Sequence, residues 1–347
     1  MSNPILVEVL RGSTLESAHS GAFVVTDADG TVVASLGDIN RPVFPRSAIK
    51  VLQALPLVTS GAADRLHLSD AELSIACASH NGEPEHVATA LGMLKKAGLD
   101  VNALECGTQW PAREMVLRGM FTRHEQAGPA HNNCSGKHAG FVCVACQLAI
   151  AHGSDPGEFA RGYVRADHPV MKEVSAALAA STDTDLSRVP VGTDGCSIPT
   201  YAIPLRQLAL AFARVGTGQG LSAERAKAAR RLRQAVARAP FMVGGTARFD
   251  TLVMQQLGER VFCKIGAEGV YCASFPELGF GVALKIDDGT ARGAEVAMAA
   301  LIEAFVSLNE ADTALLATLS TPQLKNWNGI NVGSLRASEG LRRAVAH

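Results

Sequence analysis

The stretch RPVFPRSAIK, residues 41–50, ends in Ser47-Ala48-Ile49-Lys50 and runs directly into the apolar segment VLQALPLV. A serine three residues before a lysine at a helix start places a hydroxyl and an amine on one face of one turn. The same stretch divides the chain, because the pattern before it is that of strands and helical spacing takes over after it. As chemistry it has two readings, a Ser–Lys nucleophile pair or a helix start capped by serine. Ser-x-x-Lys alone does not choose between them.

Upstream, PILVEVL, GAFVVTD and TVVASLG read as strands, and the last two flank the turn Asp27-Ala28-Asp29-Gly30, a hairpin signal. From Ser47 to about Ala239 helical periodicity dominates. Ser69 caps DAELSIACA, VATALGMLKKAG ends at Gly98, and KHAGFVCVACQLAIAHG, VMKEVSAALAA, LRQLALAFARVG and SAERAKAARRLRQAVARA follow. After Arg248 come three short alternating runs, VFCKIG, GVYCASF and FGVALKID, and a last apolar helix AEVAMAALIEAFVSL. The expected fold class is α/β (α+β): one antiparallel sheet of about five strands built from both chain ends, with covering helices and an inserted helical lobe. The sheet subdomain is expected at 1–44 and 241–347 and the lobe at 45–240, within a single catalytic domain whose cleft lies between them.

At 347 residues and 47% hydrophobic composition, the chain has ample material for a core. Its 32 Lys and Arg nearly cancel 33 Asp and Glu, and no basic run carries interleaved aromatics, so nucleic acid is not an expected partner. The N-terminus MSNPILVEVLRGS has Glu8 inside its apolar run and no basic start, and no segment reaches about 18 uncharged apolar residues. A cytoplasmic protein without a membrane partner is expected. Eight cysteines scattered without regular spacing point to reduced thiols, buried or metal-bound, rather than a disulfide framework.

Two further fragments bear on Ser47 and Lys50. Ser79-His80-Asn81 has the form Ser-x-Asn, and Lys264-Ile265-Gly266, on the first strand of the C-terminal meander, has the form Lys-x-Gly. With Ser-x-x-Lys they reproduce, in order, the three elements of the serine acyl-transferase set. A serine hydroxyl attacks only when a base takes its proton, and a lysine serves as that base only if burial or nearby positive charge lowers its pKa. Lys264 facing Lys50 would supply such a charge, with Ser79 relaying a proton between them. Taken singly, Ser79 reads as a turn residue and Lys264 as an exposed strand lysine. Their order on helix, loop and strand favours catalysis.

A second constellation is HNNCSGKHAG (131–140) with VGTDGCSIP (191–199). Cys134 and Cys196 lie in polar, glycine-containing segments where two thiolates can hold Zn²⁺, with His131, Lys137 or His138 as third ligand and water as fourth. Spacing favours His138, since lysine must be neutral to bind; two free thiols remain the alternative. Cys143-x-x-Cys146 sits at helical spacing in an apolar run and reads as core. Arg46 and Arg248 are candidates to hold a substrate carboxylate. Asp194 is a candidate for a substrate ammonium, a water or a turn, and His80 for substrate contact or a loop cap.

Together PRSAIK, ASHNGEPEH, HNNCSGKHAGF, GTDGCSIP, GGTARFDT and CKIGAEG resemble the Rhizobium-type L-asparaginase II family, with matches from residue 5 to about 290. The resemblance implies a fold like that of serine β-lactamases, penicillin-binding proteins and serine glutaminases. It implies hydrolysis of L-asparagine to L-aspartate and ammonia by two Ser–Lys pairs, Ser47 with Lys50 and Ser79 with Lys264. It implies a zinc cofactor on Cys134, Lys137 and Cys196, choosing Lys137 over His138, and a homodimer. His80 replaces the aspartate of Ser-Asp-Asn, so the middle motif is analogous in role only. Three alternatives stay open: a glutaminase or other serine amidohydrolase or peptidase, a zinc hydrolase using metal-bound hydroxide, and a non-catalytic amino-acid-binding protein. The intact Ser47, Lys50, Ser79 and Lys264 argue against the last.

Overall fold

The computed structural model describes residues 2–346. The chain divides into two compact units: one comprises the chain up to Ala48, Ala202–Gly220 and the chain from Arg260 on; the other comprises Ile49–Tyr201 and Leu221–Glu259.

The first unit is built on an eight-stranded sheet. Its strands are β1 (Ile5–Arg11), β2 (Thr14–Thr26), β3 (Val32–Leu36), β4 (Phe262–Ile265), β5 (Val270–Phe275), β6 (Phe280–Ile286), β7 (Gln323–Lys325) and β8 (Asn331–Ala337). The order is β7-β8-β1-β2-β6-β5-β4, with β3 also on β2, and every pairing is antiparallel. The β2–β3 turn forms as expected: Asp27 Oδ1 accepts from the N–H groups of Asp29 and Thr31, and Gly30 takes a left-handed φ of 89°. All six residues of β5, VYCASF, are buried, although β5 lies beside the edge strand β4, and a fully buried Val such as Val270 contributes about 1.5–3 kcal/mol.

The strand count exceeds the expected five because β7 and β8 lack the apolar alternation that marks a strand locally. Their residues are mostly half-buried or exposed, and β8 forms by pairing with β1, from Val7 opposite Ala337 to Arg11 opposite Gly333. The first half of β2 is likewise polar and exposed, and pairs with β1.

The expected lobe boundaries also change. The helix Leu205–Thr217, assigned by periodicity to the lobe, packs on β6, β5 and β2 and belongs to the sheet unit. The contact is backbone to backbone: a Cβ on Gly281 of β6 would lie 2.0 Å from Ala209 O, so only glycine permits it. Conversely the helical unit extends to Glu259, past the expected end at 240, and takes in the helix Phe249–Leu257.

In the helical unit Ser69 caps Asp70–Ala76 in a capping box with Glu72, whose carboxylate also meets Lys96 at 2.6 Å near the end of Pro84–Lys96. VLQALPLV forms two short helices, Lys50–Gln53 and Leu55–Thr59, because Pro56 has no N–H to continue the first ladder and suits the opening turn of the second. The helix Ser135–His152 is buried along most of its length, with Cys143 and Cys146 in the core at 0% exposure. The eight cysteines are all free and buried. Among the described residues no helix is long and apolar enough to cross a membrane.

Candidate active site

Backbone pairing builds the site in the helical unit. Beyond Asp70–Ala76 the chain runs extended beside the glycine-rich loop 243–248: Ser79 N–H donates to Val243 O at 2.9 Å and Asn81 N–H to Gly244 O at 3.0 Å. Lys50, at the head of Lys50–Gln53, is 0% exposed. Its Nζ donates to Ala78 O and lies 2.9 Å from Ser79 Oγ and 3.1 Å from Cys134 Sγ. Burial pulls its pKa below the ordinary 10.5; the Cys134 thiolate opposes the shift and Lys137 adds to it. A neutral Lys50 has two N–H bonds for Ala78 O and Cys134 Sγ, and keeps a lone pair for the Ser79 O–H.

The helix Ser135–His152 starts hard against Asp70–Ala76: a Cβ on Gly136 would lie 2.4 Å from Ile75 O. That approach carries Cys134 and Lys137 into the site. Lys137 Nζ donates to Cys196 Sγ at 3.0 Å. The Cys196 thiol faces both Cys134 Sγ and Asp194 Oδ2, the latter at 3.3 Å. The hydrogen bond from Cys196 holds the Cys134 pKa well below the thiol range despite burial, and the charges of Lys50 and Lys137 help. The same bond, with burial, pushes Cys196 up. For Lys137 burial works downward, but the Cys134 and Cys196 sulfurs outweigh it and the pKa rises. Within this hydrogen-bonded cluster Cys134 and Lys50 are thus shifted down and Lys137 and Cys196 up.

His80 is buried, and both ring nitrogens are engaged. Nδ1 accepts from Gly82 N–H at 3.1 Å, so Nε2 carries the proton and donates to Ser135 Oγ at 3.0 Å. Burial, then the neighbouring His86, hold its pKa well below 6.5. Arg248 caps Phe249–Leu257 and turns its Nη1 to Asn81 Oδ1 at 3.2 Å and Ser79 O at 3.5 Å. Asp194 opens the turn of the ribbon Val191–Thr193 with Pro199–Tyr201, its Oδ1 accepting from Gly195 N–H at 2.9 Å.

The other candidates sit in the sheet unit. Ser47 lies in the single turn Arg46–Ile49, where Arg46 takes a left-handed φ of 50°, a conformation that costs a non-glycine residue about 1–3 kcal/mol and clusters at functional sites. Lys264 is not the exposed strand lysine that its position alone suggests: β4 is buried throughout, and Lys264 Nζ donates to Ile265 O at 2.8 Å. Gly266 packs on Pro45 and Ala48, its Cβ position only 2.5 Å from Pro45 O. The Lys-x-Gly turn thus meets the stretch that carries Ser47.

Among the described residues no three His, Cys, Asp or Glu side chains converge on a metal position. The amine beside Cys134 and Cys196 is Lys137, whose Nζ lies 3.0 Å from Cys196 Sγ. His138 turns its Nδ1 to Tyr163 Oη at 2.7 Å. Two soft thiols and an amine in hydrogen-bond contact, all buried, fit Zn²⁺ chemically once Cys196 and Lys137 release their protons. Residue spacing did not single out Glu83, Thr246 or Arg113. Pro84 marks Glu83 as a helix cap, but nothing local announces its partners in loop 243–248.

A serine hydroxyl against a buried, proton-poor amine is what amide-cleaving serine hydrolases use to activate a nucleophile, and by family this chain is an asparaginase-type amidohydrolase. The family model described as L-asparaginase II matches residues 7–337, and the chain belongs to that family. Among solved structures it is similar to a β-lactamase from Mycobacterium bovis, at 15% identity over 79% of this chain and 89% of that one, with a TM-score of 0.34. No curated protein matches the sequence.

Proposed function

We propose that the chain hydrolyses the side-chain amide of L-asparagine, giving L-aspartate and ammonia. The observation that carries this reading is the contact of Lys50 Nζ with Ser79 Oγ at 2.9 Å, in a buried setting that favours the free amine, within a member of this family. Ser47 attacks the amide carbonyl and its proton passes to Lys50. The proton moves on through Ser79 to the departing nitrogen, ammonia leaves, and an aspartyl ester stays on Ser47. Water then hydrolyses the ester with Lys264 as the second base. Arg248 takes the substrate α-carboxylate, for which a guanidinium offers two parallel N–H donors, with Arg46 beside the nucleophile assisting. Asp194 takes the α-ammonium, and His80 shapes the pocket through Ser135.

Cys134, Lys137 and Cys196 would hold a zinc ion, which when bound supplies Lewis-acid positioning of the substrate's polar groups. The lowered pKa of Cys134 favours its thiolate, and Asp194 orients Cys196. A homodimer in the cytoplasm belongs to the same proposal.

The test is ammonia release from L-asparagine and L-glutamine by the purified protein, with and without chelator. Preference for asparagine by a factor of about 100 or more supports the reading, near the upper end of what discrimination by one methylene achieves. Faster release from glutamine makes it a glutaminase, and no release from either overturns the reading in favour of another amidohydrolase or peptidase or of a non-catalytic binding protein.

A further inference from the structure

The carboxylate of Glu83 is 5% exposed, yet it takes more donors than a helix cap needs. Thr246 N–H and Thr246 Oγ–H each donate to it at 2.7 Å, Asn81 Nδ2 at 3.3 Å and Arg113 Nη1 at 2.7 Å. Two of those donors belong to Thr246, which precedes Ala247. Ala247 holds a left-handed φ of 61°, and a non-glycine residue keeps that backbone only where its surroundings over-determine it. The residue after it is Arg248. The third donor, Asn81, also donates to Thr246 O at 3.2 Å, and its Oδ1 accepts from Arg248 Nη1 at 3.2 Å. Glu83 therefore grips the loop from below and the arginine's own partner from the side, and both grips end on the same guanidinium.

We infer that Glu83 is a positioning residue for substrate recognition: through Thr246 and Asn81 it holds the strained turn at Ala247 so that Arg248 presents its guanidinium to a carboxylate beside Ser79. This rests on the reading of Arg248 given above. Its chemical consequence is a preference for substrates with a free α-carboxylate. Glu83→Gln preserves shape but turns one acceptor into a donor facing Thr246 and Arg113, so the grip on the loop fails while Lys50 and Ser79 keep their contact.

The experiment compares wild type and Glu83→Gln on L-asparagine and on its α-amide, which lacks the carboxylate. The expected result is a KM for L-asparagine raised about tenfold with kcat within about twofold, and no change in KM for the α-amide, the signature of lost uniform binding to one group. Equal losses on both substrates, or none, overturn the inference. If wild type releases no ammonia, the functional reading fails separately, and the crystal structure of Glu83→Gln decides. Arg248 displaced from Asn81 with Ala247 out of the left-handed region supports the positioning role, and an unchanged loop overturns it. Should Glu83→Gln fail to fold, Thr246→Val, which removes only the hydroxyl bond, is expected to shift KM in the same direction by a smaller factor; an unchanged KM there overturns the inference.

Discussion

Lys50 Nζ stands 2.9 Å from Ser79 Oγ, with both side chains buried. Burial lowers the lysine's pKa, so the amine gains its free-base form as pH rises through that lowered value and loses it as pH falls. We predict that kcat/KM of the wild type declines on the acid side along the Lys50 titration, at a pH below 10.5. Lys50→Met is expected to lose about 100-fold or more in kcat, the scale of general base catalysis, and to lose that acid limb. Retention of both the rate and the limb in Lys50→Met would exclude Lys50 as the base.

Ser47→Ala is expected to abolish turnover and leave no covalent adduct, with the fold intact because Ser47 lies in the single turn Arg46–Ile49 and does not cap Lys50–Gln53, whose N-cap is Ile49. Ser79→Ala and Lys264→Met are expected to turn over slowly, because relay and second base are lost while the nucleophile remains. Mass spectrometry of acid-quenched reactions reads the outcome. An aspartyl ester on Ser79, present in Ser47→Ala and absent in Ser79→Ala, would exchange the roles of the two serines.

Zinc at about one equivalent is expected to copurify and to be lost in Cys134→Ser and Cys196→Ser, since a hydroxyl replaces thiolate poorly at a zinc site. Affinity should fall with pH, because Cys196 and Lys137, both with raised pKa values, must shed protons to bind. Elemental analysis across pH measures both. Zinc lost in His138→Ala but kept in Lys137→Ala would restore the ligand favoured by spacing, and zinc unchanged in both cysteine variants would place the metal elsewhere.

Acid stability follows Glu83. Burial raises its pKa, but the bonds from Thr246 and Asn81 and the charge of Arg113 outweigh this, and the folded value falls below 4.5. A depressed carboxylate contributes stability above its unfolded pKa and loses it as pH falls through the folded one. Glu83→Gln is therefore expected to be less stable than wild type at neutral pH and to converge with it below pH 4.5. Urea denaturation at about pH 7 and about pH 3 measures the difference. A gap that persists undiminished in acid would contradict the assignment.

Gly136→Ala places a methyl 2.4 Å from Ile75 O, where neither backbone can yield. A loss of about 1–3 kcal/mol is expected from such overpacking, and zinc content should drop with it, since Cys134 and Lys137 ride on the displaced helix start. Thermal melts and metal analysis on one sample check both; full stability with full zinc would refute the close approach.

Some of this was legible in the residues. Alternation in VVASL, the β-forming residues of VYCASF, the Asp27–Gly30 turn and the Ser69 cap are local patterns, and each forms the element its residues prefer. The sequence also picks out candidates, because Ser47, Lys50, Ser79, Lys264, Cys134 and Cys196 stand in short distinctive contexts. Partners and protonation were not legible. Nothing in QLK or NVGSLRA announces β7 and β8, which exist because β1 offers an open edge. The helix Leu205–Thr217 has the same periodicity as its neighbours, and only the bare backbone of Gly281 assigns it to the sheet. Likewise the amine of Lys50 is an ordinary base until the fold takes away its water and sets Cys134 and Ser79 against it. Periodicity is a property of neighbours in the chain, whereas burial and pairing join residues far apart in it, and a pKa is decided by those distant groups.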